Sequence, residues 1–219
     1  MNLDKLYKLQ AELDRTILEN EKKRTGKEID KDLLLNQTIL ALQVEVAELA
    51  NETRCFKHWS TKGPNNKVAI PCSLCDGTGD MNYHMAMEAA ESSMKHEYME
   101  CEECGGTGII GYKNPILEEY VDVLHFYLSL GNQLDYKMGN IHYYLDEEEI
   151  KFMKGLSLIG LFIFLEENAL QATYDIEYYT IYGYQMQILG HKLGFTEEEV
   201  EQAYLEKHKE NYRRQEEGY

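Results

Sequence analysis

Apolar residues recur along this chain at the three- and four-residue intervals of an α-helix wherever a pattern is visible. Leu3, Leu6, Leu9 or Gln10, Leu13 and Ile17 form one stripe with charges opposite, which predicts a helix from residue 3 to about 20. A polar loop around Gly26, from Lys22 to Lys31, follows. A second stripe through Leu33, Ile39, Leu42, Val46 and Leu49 predicts a helix opening near Asp32 and running to about Arg54. Asn114-Pro115 reads as cap and first turn of a third helix, which continues through Leu124, Tyr127, Leu128 and Leu130 to near Gly131. Asp146-Glu147-Glu148-Glu149 and Thr196-Glu197-Glu198-Glu199 are both capping boxes. The first opens a helix whose Phe152, Leu156, Ile159, Ile163 and Phe164 line a face so apolar that burial on more than one side is expected. Tyr174, Ile176, Tyr179, Ile181, Tyr184 and Ile188 mark a fifth helix ending between Gly190 and Gly194, and the second box opens a last helix from Val200 to about Arg214. Nothing reads as an extended sheet, so the expected fold class is all-α, a helical bundle.

One stretch breaks this pattern. Cys72-Ser73-Leu74-Cys75-Asp76-Gly77-Thr78-Gly79 and Cys101-Glu102-Glu103-Cys104-Gly105-Gly106-Thr107-Gly108 are two Cys-x-x-Cys knuckles, each with a Gly-Thr-Gly tail, and form an internal repeat. Four thiolates in two such pairs suit tetrahedral zinc, and the glycines let backbone N–H groups turn toward the sulfurs. Two redox dithiols are the competing reading, but a redox Cys-x-x-Cys normally opens a helix, which the Gly-Thr-Gly tails oppose. The knuckles resemble the Cys-rich repeats of DnaJ-type chaperones, where the repeat occurs four times. Between them, Tyr83 to Met99 reads as a short helix whose His84 and His96 are spare ligands. Residues 67–108 are thus expected to be an inserted zinc module, with 1–66 and 109–219 forming the main domain.

With 22 basic and 39 acidic residues the chain carries a net charge of −17, which argues against sequence-independent binding to nucleic acid. The apolar run Leu156 to Leu165 is too short to span a bilayer. The opening Met1-Asn2-Leu3-Asp4-Lys5 is polar rather than leader-like, so a cytoplasmic protein with reduced cysteines is expected. The apolar, tyrosine-rich surface between 152 and 188 exceeds what one modest bundle hides, which points to a homodimer.

On the second and third helices Glu45 and Glu48, and Glu119 and Asp122, are spaced three apart and so share a face beside buried apolar residues. Acids at the edge of a buried stripe repel one another unless a cation sits among them, and an all-oxygen set suits Mg²⁺. Solvated helix faces carry such pairs too. What distinguishes these is their company: Phe56-Lys57-His58-Trp59 shortly after the first pair, and the closing Lys207-His208-Lys209-Glu210-Asn211-Tyr212-Arg213-Arg214-Gln215-Glu216-Glu217-Gly218-Tyr219.

Glu45-x-x-Glu48, Glu119-x-x-Asp122, Lys57-His58-Trp59 and the C-terminal segment together resemble the all-α nucleoside triphosphate pyrophosphohydrolases, and within them the dimeric dUTPases. In outline the resemblance covers 1–60 and 114–219 and stops at the zinc module. It implies Mg²⁺-dependent hydrolysis of dUTP to dUMP and pyrophosphate. Glu45, Glu48, Glu119 and Asp122 would hold Mg²⁺, with Glu48 as the base on the attacking water. Lys207, Asn211 and Arg214, on one helix face, would donate to phosphates, and Trp59 or Phe56 would wall the base beside Lys57. The family reads the uracil edge with a Gln and an Asn on the first helix; Gln10 and Asp14 lie near those places, Asp14 being a departure because a carboxylate only accepts hydrogen bonds. Cleavage of dCTP or another nucleotide by the same chemistry is one alternative. A non-catalytic module that binds a protein partner through its knuckles is another.

Overall fold

The structure, a computed structural model, describes residues 1–83 and 97–218. His84, His96 and most of the helix expected between Tyr83 and Met99 lie outside these. The chain forms two compact units, Met1–Pro64 with Ile116–Tyr219, and Asn65–Pro115.

The first unit is helical throughout. It comprises α1 (Leu3–Thr25), α2 (Lys31–Thr53), α3 (Pro115–Leu134), α4 (Glu147–Gly155), α5 (Leu158–Asn168), α6 (Ile176–Leu193) and α7 (Glu197–Glu217), with 3₁₀ turns at Ile141–Tyr143 and Gln171–Thr173. Local chemistry sets the ends. Asp30 caps α2 by accepting from the backbone of Asp32 and Leu33, and both expected capping boxes form, Asp146 with Glu149 and Thr196 with Glu199. Gly26, Gly194 and Gly218 stop α1, α6 and α7 in the left-handed conformation. Helix α1 therefore runs five residues beyond its expected end, and α7 runs to Glu217 rather than Arg214.

Three expectations are corrected. The helix read through Phe152 and Phe164 is two helices: Leu156 and Ser157 are extended, and the Ser157 side chain caps α5 by accepting from Gly160 N. Its apolar face is not buried on several sides, since Phe152, Ile159 and Ile163 are 58%, 44% and 51% exposed. Gly131 does not end α3, which continues to Leu134.

The core is built from leucine and tyrosine. Leu6, Leu42, Leu49, Val121, Leu128, Leu161 and Leu165 are fully enclosed, each contributing about 1.5–3 kcal/mol of apolar burial. Tyr127 of α3 and Tyr179 of α6 stack with ring centroids 4.3 Å apart at 6°. Each hydroxyl donates to the other's backbone carbonyl, Tyr127 Oη to Tyr179 O at 3.2 Å and Tyr179 Oη to Tyr127 O at 2.9 Å. This reciprocal clamp needs glycine on both helices: a Cβ at Gly183 would lie 2.3 Å from Tyr127 Oη, and one at Gly131 would lie 2.2 Å from Tyr179 Oη.

The second unit corrects the expectation of no sheet. Val68–Pro71 (β1) and Ile109–Lys113 (β2) pair antiparallel, with a register shift between Ile70 and Pro71. The pair is short and mostly exposed, so it leaves the fold class all-α.

The clamp makes a test. Gly183→Ala should destabilise the protein by about 2 kcal/mol in urea denaturation, because overpacking outweighs the gain in helix propensity. A neutral or stabilising result would contradict this packing.

Candidate functional site

Four acids and one lysine meet where α2, α3 and α7 pack. On α2, Val46 and Leu49 are driven into the core, and that anchoring carries Glu45 and Glu48 to its edge. On α3, buried Val121 and Leu124 do the same for Glu119 and Asp122. One carboxylate oxygen from each of Glu45, Glu48 and Glu119 lies within 4.8 Å of the other two. Asp122 turns instead to α7, where its Oδ2 accepts from Lys207 Nζ at 2.5 Å. Burial, then the charges of Asp122, Glu48 and Glu119, pushes the Glu45 carboxyl up to about 7, against the opposing field of Lys207. Burial, then Asp122 and Glu48, likewise pushes Glu119 up to about 7. Asp122 is raised by burial despite its ion pair with Lys207 and the field of Arg214. The acids converge faster than positive charge is supplied to them, and a hard divalent cation with oxygen ligands fits such a cradle.

The other expected site residues are distributed as follows. Lys207, Asn211 and Arg214 are half-buried on α7; Lys207 meets Asp122, and Arg214 donates to Glu210 at 3.1 Å. Just past α2, Trp59 is 67% exposed, with Phe56 and His58 edge-on to it at 6.0 and 5.0 Å. Lys57 lies over the Phe56 ring and donates to Asn51. Gln10 is buried. Its Oε1 accepts from Tyr204 Oη at 2.9 Å and lies 2.7 Å from His125 Nδ1, and its Nε2 donates to Asp14 Oδ1 at 2.7 Å. Asp14 is raised by burial, offset by hydrogen bonds from Gln10 and Ser129.

His125, Ser129 and Tyr204 were not anticipated from the sequence. The signal lay in α3, where His125 and Ser129 interrupt an otherwise apolar run on the stripe that bears Glu119 and Asp122. A cavity of about 730 Å³, lined by Ile17, Leu18, Leu34, Gln37 and Gln215 among others, opens between α1, α2 and α7. None of the four acids lines it, so the carboxylate geometry, not this cavity, marks the site.

In the second unit all four cysteines of the knuckles come together. Cys72 and Cys101 Sγ are 3.7 Å apart, as are Cys75 and Cys104, and all four sulfurs lie within 4.8 Å. The edge of a tetrahedron with metal–sulfur bonds of about 2.3 Å is about 3.8 Å, whereas a disulfide needs about 2.05 Å. The Gly-Thr-Gly tails explain themselves. Gly79 and Gly108 N–H donate to Cys75 and Cys104 Sγ, both at 3.2 Å, and the tails cross so tightly that a Cβ at Gly79 would lie 2.2 Å from Gly106 O. A Cβ at Gly108 would meet Gly77 O at the same distance, so the repeat is also a structural near-twofold. Cys55 stands apart, packed against the core of the helical unit.

The helical unit is thus an all-α bundle that brings paired carboxylates together on two adjacent helices. A family model described as dUTPase matches residues 2–103 and 111–219. The chain belongs to the all-α dUTPase family. The match passes beyond the expected outline into the knuckle module, taking in Cys72, Cys75 and Cys101 and breaking over Cys104 to Ile110. No curated protein and no solved structure matches the chain.

Because Glu45 and Glu119 sit near 7, binding of a divalent cation should displace protons below that pH and none well above it. Titration calorimetry at pH 6.5 in buffers of different ionisation enthalpy should show on the order of one proton released per chain, and apparent affinity should rise between about pH 6 and 8. Affinity independent of pH would speak against this cradle.

Proposed function

We propose that the chain hydrolyses dUTP to dUMP and pyrophosphate, with Mg²⁺ held by Glu45, Glu48, Glu119 and Asp122. The observation that carries this reading is the convergence of three carboxylates within 4.8 Å beside the Asp122–Lys207 pair, in a chain of the dUTPase family. Held by these residues, the cation would supply positive charge for the phosphates and a more acidic water. Glu48, the exposed member of its pair, would hold that water and take its proton. With Asp122 engaged on a cation, Lys207, now paired with it, would be free to donate to phosphate. Asn211 and Arg214, four and seven residues further along α7, extend the row of donors on one face. The exposed ring of Trp59, with Lys57 behind it, offers a wall for a base.

The four convergent thiols support structural zinc in the second unit: four thiolates fill a tetrahedral ion and leave no position for water. The free thiols suit the reducing cytoplasm. By length and a mean hydropathy of 1.3, α2 could cross a bilayer, but its Leu42, Val46 and Leu49 are spent on the bundle core. Exposed Phe152, Ile159, Ile163, Leu170 and Tyr174 support a homodimer that covers them.

Glu48→Gln keeps shape and removes the charge and base, so Mg²⁺-dependent pyrophosphate release from dUTP should fall by at least about a thousandfold with an unchanged circular dichroism spectrum. Activity within about tenfold of the parent would sink the assignment. For the second metal, elemental analysis of protein purified without chelator should find one zinc per chain. Cys104→Ser should lose the zinc, while the kcat of the folded fraction stays within about threefold.

A further inference from the structure

The two knuckles are joined by backbone as well as by their sulfurs. Cys72 N–H donates to Gly108 O at 2.9 Å and Cys101 N–H to Gly79 O at 3.0 Å, so the first cysteine of each knuckle is bonded to the last glycine of the other. On one side of the cluster Asp80 bridges to Glu100, Met81 N–H donates to Met99 O at 2.8 Å, and the buried Asp80 carboxylate accepts from Asn82 N at 2.9 Å and Met99 N at 3.0 Å. On the other side β1 pairs with β2. These bonds use no sulfur, so they keep the four thiols close together whatever the thiols themselves are bonded to.

The four thiols are not equivalent. Cys72, Cys75 and Cys101 are buried, whereas Cys104 is half-buried, so solvent reaches the cluster at Cys104. Its nearest measured partner is Cys75 Sγ at 3.7 Å, across the junction of the knuckles. That pairing differs from a redox Cys-x-x-Cys, whose two sulfurs belong to one motif. A thiolate is the form that holds a metal, and it is also the form that attacks an oxidant.

We propose that Cys104 and Cys75 form a reversible disulfide when the protein meets a hydroperoxide, which makes the zinc centre an oxidant-responsive one. The inference rests on the reading of the four cysteines as a zinc site. The Cys104 thiolate attacks one oxygen of hydrogen peroxide: an S–O bond forms, the O–O bond breaks, and the departing hydroxide takes a proton to become water. The Cys75 thiolate then attacks the Cys104 sulfur: an S–S bond forms, the S–O bond breaks, and a second hydroxide leaves as water. In sum, two thiolates, one peroxide and two protons give one disulfide and two waters, the cysteines losing the two electrons that the peroxide gains. The sulfurs close from 3.7 Å to about 2.05 Å. With two of its four donors gone the site gives up its ion, while the wholly buried Cys72 and Cys101 stay reduced. A thiol reductant that reopens the disulfide restores all four donors.

The test uses the full chain carrying Cys55→Ser, which removes the one thiol outside the cluster. Hydrogen peroxide is added in steps; a chromogenic chelator reads zinc release, and peptide mass spectrometry maps the disulfides. By about a tenfold molar excess of peroxide, one zinc per chain should be lost in step with a Cys75–Cys104 disulfide. Cys72 and Cys101 should still be alkylated after unfolding, and dithiothreitol with added zinc should return the metal content to its starting value. A first disulfide inside either knuckle, zinc retained through that excess, or a loss that dithiothreitol does not reverse would overturn the inference. Should the serine variant not fold, the parent chain gives the same two readouts, with Cys55 followed on its own peptide. Protein that carries no zinc as purified would refute the zinc reading, and the disulfide map would still decide the pairing.

Discussion

Three carboxylates held within one ion's reach at the edge of a hydrophobic core are the constraint on which the rest of the structure depends. Two like charges about 4 Å apart repel by roughly 4 kcal/mol at an effective dielectric of about 20. Burial first, and this repulsion second, push Glu45 and Glu119 up to about 7, so that proton uptake relieves part of the cost, and Lys207, which reaches across from α7 to Asp122, relieves another part. The remainder is borne by packing: buried Val46 and Leu49 on α2, and Val121 and Leu124 on α3, hold the two backbones that bring the acids together. The Tyr127–Tyr179 clamp secures α3 in turn from the side of α6. A cation in the cradle would relieve that repulsion, and the packed bundle is what the repulsion works against.

The two candidate metal centres divide by donor chemistry. Among the described residues, the cradle of the helical unit gathers carboxylate oxygens, which suit a hard, exchangeable ion, and the knuckle unit gathers four sulfurs, which suit zinc and exclude water once four thiolates are bound. The repeat of Gly-Thr-Gly serves the second centre through its backbone. Each tail sends an N–H to a sulfur and lies so close to the other that side chains are excluded, and this accounts for glycine at Gly79 and Gly108.

What the sequence disclosed follows from how local each feature is. Glu45 with Glu48, Glu119 with Asp122, the two Cys-x-x-Cys pairs and the capping boxes at Asp146 and Thr196 are short-range patterns, readable from spacing alone. The break at Leu156–Ser157 was hidden because a continuous apolar run outweighs a single serine cap in any periodicity. Strands β1 and β2 were hidden because they are short, mostly exposed, and joined only across the whole knuckle module. The cluster of Gln10, Asp14, His125 and Ser129 was hidden for a deeper reason. Its two halves, Gln10 with Asp14 and His125 with Ser129, are more than a hundred residues apart in the chain, and a histidine in an apolar helix gives no sign of which partner will hold it. The pairing of Asp122 with Lys207 is of the same kind: both residues were legible as site candidates, but not their contact.

The central claim is that the cradle is destabilising until a cation fills it, and thermal unfolding with and without Mg²⁺ measures this directly. At pH 8 in chelator, a Glu45→Gln, Glu48→Gln, Glu119→Gln triple variant should melt higher than the parent, since it keeps the packing and loses the repulsion. Added Mg²⁺ should raise the melting temperature of the parent and leave that of the variant unmoved. A variant that melts lower than the parent in chelator, or a parent indifferent to Mg²⁺, would contradict the account.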